Sequence, residues 1–312
     1  MDYQWYPGHM TKAKRMMQEN IRLVDLVIEI VDARIPVSSR NPDIDALCEG
    51  KGRILVMSKA DLADRKATGI FTQYYEQQGF TVAPVDSRDR QSASIIRNAV
   101  QKASKAKREK DLRRGIKNRP VRAMVCGIPN VGKSTLINSI AGQARAKTGN
   151  KPGVTKGKQW VSMKLGTGGG AFFTLELLDT PGILWPKFED ANVGLRLALT
   201  GSIREEILDE QELSMRLLRF LRERYPQVIP DRYRSAAYPL LPEENDNYED
   251  PKAVLRVMEQ IAANRNYLLK GGEPDLKRCA HQLLDDFKNG RTGRITLDDL
   301  PGQSVIIPET EE

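Results

Sequence analysis

The chain has 312 residues, 40% hydrophobic and 29% charged, enough for one large or two ordinary domains around a buried core. No apolar run approaches the roughly 18 residues of a membrane-spanning helix, and "MDYQWYPGHM" carries no secretory core, so a soluble, cytoplasmic protein is expected. Cys48, Cys126 and Cys279 stand singly beside only two histidines, His9 and His281, which excludes a disulfide scaffold or a histidine-rich metal site; the net charge of +8 and pI near 9.3 favour a polyanion, nucleic acid before membrane.

In chain order, residues 11–22 predict a basic amphipathic helix opened by Thr11. "LVDLVIEIVDAR" is an apolar, β-branched run ending in charge, the pattern of a buried parallel strand, and "GRILVMSKAD" repeats it with a strand over 54–57 and a polar loop. "FTQYYEQQGF" predicts a helix ending at Gly79, and "TVAPVDS" another strand. Residues 94–119 begin as a helix and turn strongly basic, with nine Lys or Arg between Lys102 and Arg119. "VRAMVCGIPNVGKSTLINSIAG" reads as strand, glycine loop and helix, and "FFTLELLDTPGIL" as strand and loop. This alternation predicts a doubly wound, mostly parallel α/β sheet over residues 1–190. Beyond it, Leu213, Leu217 and Leu221 recur at helical spacing before Pro226, Pro251 opens a second helix, and a third is expected over 275–288. These give a small all-helical domain at 191–290 and a mixed tail at 291–312.

Gly127-Ile-Pro-Asn130-Val131-Gly132-Lys133-Ser134, followed by Thr135, matches the phosphate-loop pattern G-x-x-x-x-G-K-[ST] between a strand and a helix. Its backbone N–H groups would surround phosphates at a helix N-terminus, Lys133 would reach the outer phosphates, and the Ser134 hydroxyl would bind Mg²⁺. "LLDTPG" supplies Asp179 for the Mg²⁺ shell and the Gly182 N–H as a γ-phosphate sensor; Thr155 in "KPGVTKGK" completes Mg²⁺ coordination or is an ordinary loop hydroxyl. Each of these last motifs is weak alone, and their spacing carries the reading.

Ser58-Lys59-Ala60-Asp61 suits guanine, because the Asp61 carboxylate can accept from the ring N–H and amine that adenine lacks while Lys59 lies along the base. No [NST]-K-x-D follows Asp179, where such a loop normally stands. Asp86 and Ser87, ending the next strand, would back the base. The resulting order is base loop, backing loop, phosphate loop, threonine loop, D-x-x-G: a circularly permuted GTPase, with 102–119 joining the former ends.

That order, with "YPGHM", "VDARIP", "GIPNVGKST", "PGVTK", "DTPGIL", "NYLLKGGEPDL" and "FKNGRTGRITL", resembles the ribosome biogenesis GTPase A (RbgA/YlqF) family over nearly the whole chain. The resemblance implies a cytoplasmic GTPase assisting late maturation of the large ribosomal subunit and contacting its rRNA, with no membrane or DNA partner. The family usually has Asn where this chain has Ser58, so a looser grip on the base is expected, with Asp61 retaining guanine over adenine. Ile183 follows D-x-x-G where ordinary switch GTPases carry a water-orienting Gln, so hydrolysis is expected to be slow until a ribosomal particle stimulates it. His9, in a Pro-Gly-His turn, is the chain's own candidate for handling water, or else a helix-entry or RNA-facing residue; the resemblance raises the catalytic reading to equal standing with the other. By the same analogy Asn130 would admit a K⁺ ion that spreads transition-state charge.

RNA phosphates are expected to meet the 102–119 stretch, Lys12, Lys14 and Arg15, and in the helical domain Arg216, Arg219, Arg222, Arg224, Arg265 and Lys270. Two other functions stay open: a GTP-dependent tether with incidental hydrolysis, which Ile183 favours, and a P-loop ATPase or small-molecule kinase, against which Asp61 argues.

Overall fold

The computed structural model describes residues 15, 17–86, 88–117, 119–141, 159–166, 172–179, 191–203, 209–233 and 251–301. It divides into two units, Met1–Val193 and Gly194–Glu312.

The first unit is built on six strands: β1 (Leu26–Asp32), β2 (Gly52–Ser58), β3 (Thr81–Val85), β4 (Val121–Gly127), β5 (Gln159–Gly166) and β6 (Phe172–Asp179). Their order is β3-β2-β1-β4-β6-β5, parallel except for β5, which runs antiparallel to β6 at the edge. β1 is buried at all its positions, as its run of Val, Ile and Leu requires in a sheet covered on both faces. With Ile28, Ile30, Leu55, Val56, Met124 and Leu177 it forms a core of side chains that are fully buried, each contributing about 1.5–3 kcal/mol of apolar burial. β5, a strand absent from the sequence-based expectation, alternates buried Val161 and Leu165 with exposed Trp160, Ser162 and Lys164, which suits an edge with one wet face.

Helices α1 (Asp43–Leu47), α2 (Arg65–Gln77), α3 (Arg90–Arg113) and α4 (Lys133–Ala141) connect the strands. α2 starts where the Asp64 carboxylate accepts from the Ala67 N–H at 2.8 Å, and α3 where Asp89 accepts from Gln91 at 3.0 Å. The basic stretch therefore continues as helix to Arg113. The 24 residues of α3 span about 36 Å, against about 24 Å for a seven-residue strand, so the helix is longer than any strand of the sheet.

The register lines up loops rather than only strands. Asp32 lies beside Ser58, Ser58 beside Val85, Ile30 beside Gly127, and Val125 beside Asp179. The chain steps outward from β1 to β3, then returns to lay β4 on the other side of β1. The strand order reverses there, and open α/β sheets place ligands outside the carboxyl ends at that point.

The second unit is helical: α5 (Ala191–Leu199) from Gly194 onward, α6 (Glu210–Arg224), α7 (Val228–Tyr233), α8 (Pro251–Asn264) and α9 (Leu276–Lys288). α6 packs on α9 and α8 through Leu213, Leu217, Leu218 and Leu221. Asp286 of α9 is buried and accepts four hydrogen bonds: from Arg232 (3.0 Å) and Tyr233 (3.0 Å) of α7, from Gln282 (2.9 Å) and from Arg291 (2.6 Å). Residues 292–298 are integral to this unit: Ile295 and Leu297 are buried, Asp298 pairs with Arg196 at 3.2 Å, and the Tyr225 hydroxyl bonds both backbone groups of Thr296.

Candidate functional site

The phosphate-loop pattern folds as its glycines demand. Gly127 has φ +148°, and a Cβ there would stand 2.4 Å from the Ile30 carbonyl oxygen, so no side chain fits where β4 passes β1. Asn130 (φ +60°) and Gly132 (φ +94°) bend the loop through left-handed backbone into the first turn of α4. Ile128 and Val131 are buried beneath it, Asn130 and Ser134 are half-buried, and Thr135 is exposed. Lys133 is buried, and its ammonium donates to the carbonyls of Gly127 (3.2 Å) and Ile128 (2.7 Å), so the charge is folded back over the loop. Backbone N–H groups at a helix N-terminus with a lysine among them form a site for anionic phosphate.

The early loop lies against this one. Ser58, buried at the end of β2, points its hydroxyl at two backbone oxygens, Val31 (2.9 Å) and Val131 (2.8 Å). Its single hydroxyl hydrogen serves one of them at a time. Val131 belongs to the phosphate loop, so Ser58 joins the two loops, and its hydroxyl is spent on backbone carbonyls. The Ala33 N–H donates to the Ser58 carbonyl (2.8 Å), and the Ala60 N–H to the Val85 carbonyl (3.1 Å), tying 58–60 to both neighbouring strand ends.

Lys59 has a left-handed backbone, φ +57°, and its ammonium lies 2.8 Å from Asp32 Oδ2. Asp32 is fully buried and also held by Arg34, itself 1% exposed, through Nε to Oδ1 (3.0 Å) and Nη2 to Oδ2 (2.8 Å). Burial alone would raise the Asp32 carboxyl; the charges of Arg34 and Lys59 outweigh it and hold the group well below the usual carboxylate range. Asp61 meets the guanidinium of exposed Arg88, which also bonds Asp86 through Nε at 3.2 Å. Burial pushes the Asp86 carboxyl up, but hydrogen bonds from the Arg88 backbone and side chain outweigh it and lower its pKa.

The sequence-predicted Ser58, Lys59, Ala60, Asp61, Asp86, Asn130, Val131, Gly132, Lys133, Ser134 and Thr135 therefore gather at the carboxyl ends of β2, β3 and β4. Asp179 ends β6 next to β4, and its backbone alone is described. His9, Ser87, Thr155 and Gly182 lie outside the described residues. Three neighbours were given no role from the sequence: Asp32 and Arg34, which lie in "VDARIP", and Arg88. A charged pair immediately after an apolar strand, as in "LVIEIVDAR", was the available signal for the first two.

Comparison with known proteins decides the family. A model described as "50S ribosome-binding GTPase" matches residues 122–223, beginning at the phosphate-loop strand, so the base loop of this chain precedes the matched region. Ribosome biogenesis GTPase A of Bacillus cereus is 42% identical over 96% of this chain and 94% of its own length. The chain belongs to the ribosome biogenesis GTPase A family. A member from Thermotoga maritima is 28% identical over 94% of this chain and 93% of its own length. The GNP-bound YlqF from T. maritima superimposes with a TM-score of 0.58 at 27% identity, over 93% of this chain and 99% of that one. A GDP-bound YlqF gives 0.60 at 26%, over 91% and 98%. This ribosome biogenesis GTPase A chain is accordingly a GTP-binding, GTP-hydrolysing assembly factor with a circularly permuted domain followed by a helical one. Among the described residues no helix is long and apolar enough to cross a membrane.

Proposed function

We propose that the protein hydrolyses GTP in the cytoplasm while assisting late maturation of the large ribosomal subunit, contacting its rRNA and changing affinity with nucleotide state. The observation that carries the nucleotide part is the Ser58 hydroxyl at the Val131 carbonyl, which joins a guanine-type loop to a phosphate loop lying downstream in the chain. Asp61 and Lys59 hold the base, the 86–87 loop backs it, and residues 130–135 hold the phosphates, with Lys133 turning from its loop carbonyls to them. Ser134, in the first turn of α4, and Asp179, at the end of neighbouring β6, offer hard oxygen donors of the kind Mg²⁺ takes alongside phosphates, with Thr155 as a third. Bound there, Mg²⁺ neutralises charge on the phosphate oxygens. His9 handles the attacking water, Gly182 senses the γ-phosphate, and Asn130 admits K⁺.

For rRNA, exposed Lys102, Lys105, Lys110, Arg113, Arg114 and Lys117 on and beyond α3 are the strongest surface. Arg216, Arg224 and Arg265 serve less well, because they are engaged internally by Glu212, Asp299 and the Arg232 carbonyl. The name of the Bacillus cereus relative, ribosome biogenesis GTPase A, supports a ribosomal partner. The deciding experiment measures GTP turnover with and without isolated large subunits: acceleration of about tenfold or more is expected. Unchanged turnover together with GTP-dependent subunit binding would favour the tether that Ile183 allows.

A further inference from the structure

Asp32 and Arg34 sit directly under the base loop, within the "VDARIP" stretch, to which the reading of the site gives no role. Among the described residues Asp32 accepts four hydrogen bonds, two on each oxygen. Oδ1 takes the Arg34 backbone N–H (3.0 Å) and Nε (3.0 Å), and Oδ2 takes Arg34 Nη2 (2.8 Å) and Lys59 Nζ (2.8 Å). That fills the lone-pair sites of a carboxylate. Its backbone N–H is anchored as well, donating to Ser39 Oγ at 3.0 Å, while that hydroxyl donates to the Ile35 carbonyl at 2.6 Å. The carboxylate therefore has one orientation, fixed by its own loop before Lys59 arrives.

A purely structural role would need only the Asp32–Arg34 pair, which is already neutral and buried. Lys59 adds a second cation, and its backbone occupies the left-handed region that a non-glycine residue adopts only when its surroundings over-determine it. Asp32 and Ser58 are partners in the sheet register, so Lys59 is the first residue to leave β2 beside that carboxylate. Lys59 is also the member of the group with solvent access, its side chain 27% exposed while Asp32 and Arg34 are closed off.

We infer that Asp32, locked by Arg34, is a positioning residue for guanine recognition: it fixes the Lys59 ammonium so that the lysine stem stands in place to flank the base before nucleotide binds. This rests on the guanine-nucleotide reading of the site. Without the carboxylate, Lys59 must be ordered at the moment of binding, which lowers affinity without removing any group that touches the nucleotide.

The test is a double-mutant cycle on the full chain, reading affinity for fluorescent GDP, with ADP as the control ligand. Asp32→Asn should weaken GDP binding about tenfold, the size of one lost charge-assisted hydrogen bond. Lys59→Met should weaken it by at least as much, and Asp32→Asn in the Lys59→Met background should add less than about twofold, because the coupling runs through Lys59. Lys59→Arg, which keeps a donor for Asp32, should recover most of the loss. Equal losses from Asp32→Asn in both backgrounds would overturn the inference and leave Asp32 a fold residue. If wild type binds ADP as well as GDP, the guanine reading fails instead. Should Asp32→Asn not fold, the Lys59 ammonium is followed in ¹⁵N-lysine wild type, assigned by its loss in Lys59→Met: slowed proton exchange, kept with GDP, supports the pairing, and free exchange in both states overturns it.

Discussion

Asp32 in the nucleotide unit and Asp286 in the helical unit are chemically near twins. Both are buried carboxylates accepting four hydrogen bonds, two per oxygen, dominated by arginine. In both, burial would raise the carboxyl and the donors reverse that, holding Asp286 at about 2 and Asp32 lower still. They differ in where the donors come from. Three of the four bonds to Asp32 come from Arg34, two residues away, and the fourth from the functional loop. The partners of Asp286 are drawn from α7, from α9 itself and from the segment after it. A carboxylate satisfied within one loop can present a neighbour; one satisfied by three segments holds those segments together. The comparison predicts that the same kind of substitution damages binding at one site and stability at the other.

The largest effect is expected at the clamp. Asp286→Ala leaves Arg232, Arg291 and Tyr233 without their common acceptor and should cost about 2–4 kcal/mol, the partial exposure of the two guanidinium groups keeping it below a fully closed pair. Thermal unfolding should move several degrees lower while GDP affinity of the folded chain stays within twofold. A tenfold loss of GDP affinity would erase the distinction between the two carboxylates.

Next in size is an acid effect. The folded Asp286 carboxyl sits at about 2 against 3.8 for an ordinary aspartate, so its contribution is fully present above the ordinary value and disappears as the pH falls through 2. After screening at its half-exposed partners, about 1–2 kcal/mol should be lost across that window, and acid titration followed by circular dichroism in wild type and Asp286→Asn measures it. If both unfold along the same acid curve, Asp286 is not the titrating clamp.

How much of this was written in the sequence follows from how local each interaction is. The phosphate loop was legible in full, since its glycines and lysine are neighbours in the chain. β1 and β2 were legible from their apolar runs, and the early Ser58–Asp61 loop from the missing later copy. β5 was missed although "QWVSMKLG" alternates, because the exposed residues on its wet face broke the apolar signal. The basic stretch became helix to Arg113 because Lys and Arg are good helix formers whose charge carries no structural veto. Residues 292–298 read as a tail, whereas Ile295 and Leu297 are buried; Tyr225, which bonds the Thr296 backbone between them, lies some seventy residues earlier, beyond the reach of any local pattern. Lys59 meeting Asp32 likewise requires the sheet register.

A smaller effect belongs to Ser58. The expectation was a looser hold on the base, yet the hydroxyl bridges the two loops from a buried position. Ser58→Ala should therefore cost about 1 kcal/mol of stability and weaken GDP and inosine diphosphate equally, by about threefold to fivefold, because loop apposition rather than base reading is lost. Isothermal titration with both nucleotides distinguishes these, and a loss confined to GDP would return Ser58 to the base.

The smallest effect is expected at Arg88. Its guanidinium engages Asp61 and Asp86 together, offering Asp61 an N–H edge much like the ring N–H and amine that guanine presents. On the proposed reading of Asp61 as the guanine acceptor, a nucleotide would have to displace it, and Arg88 would compete with ligand. Because its side chain is 73% exposed, the contact is screened and the competition weak. Arg88→Ala should raise the GDP association rate only about twofold to threefold, more at low ionic strength and scarcely at all above about 0.5 M salt, where exposed charges no longer sense each other. Stopped-flow binding over a salt series reads this directly. A slower association in the variant would make Arg88 a steering or contact group for the phosphates, and Asp61 would then be free to meet guanine without an internal rival.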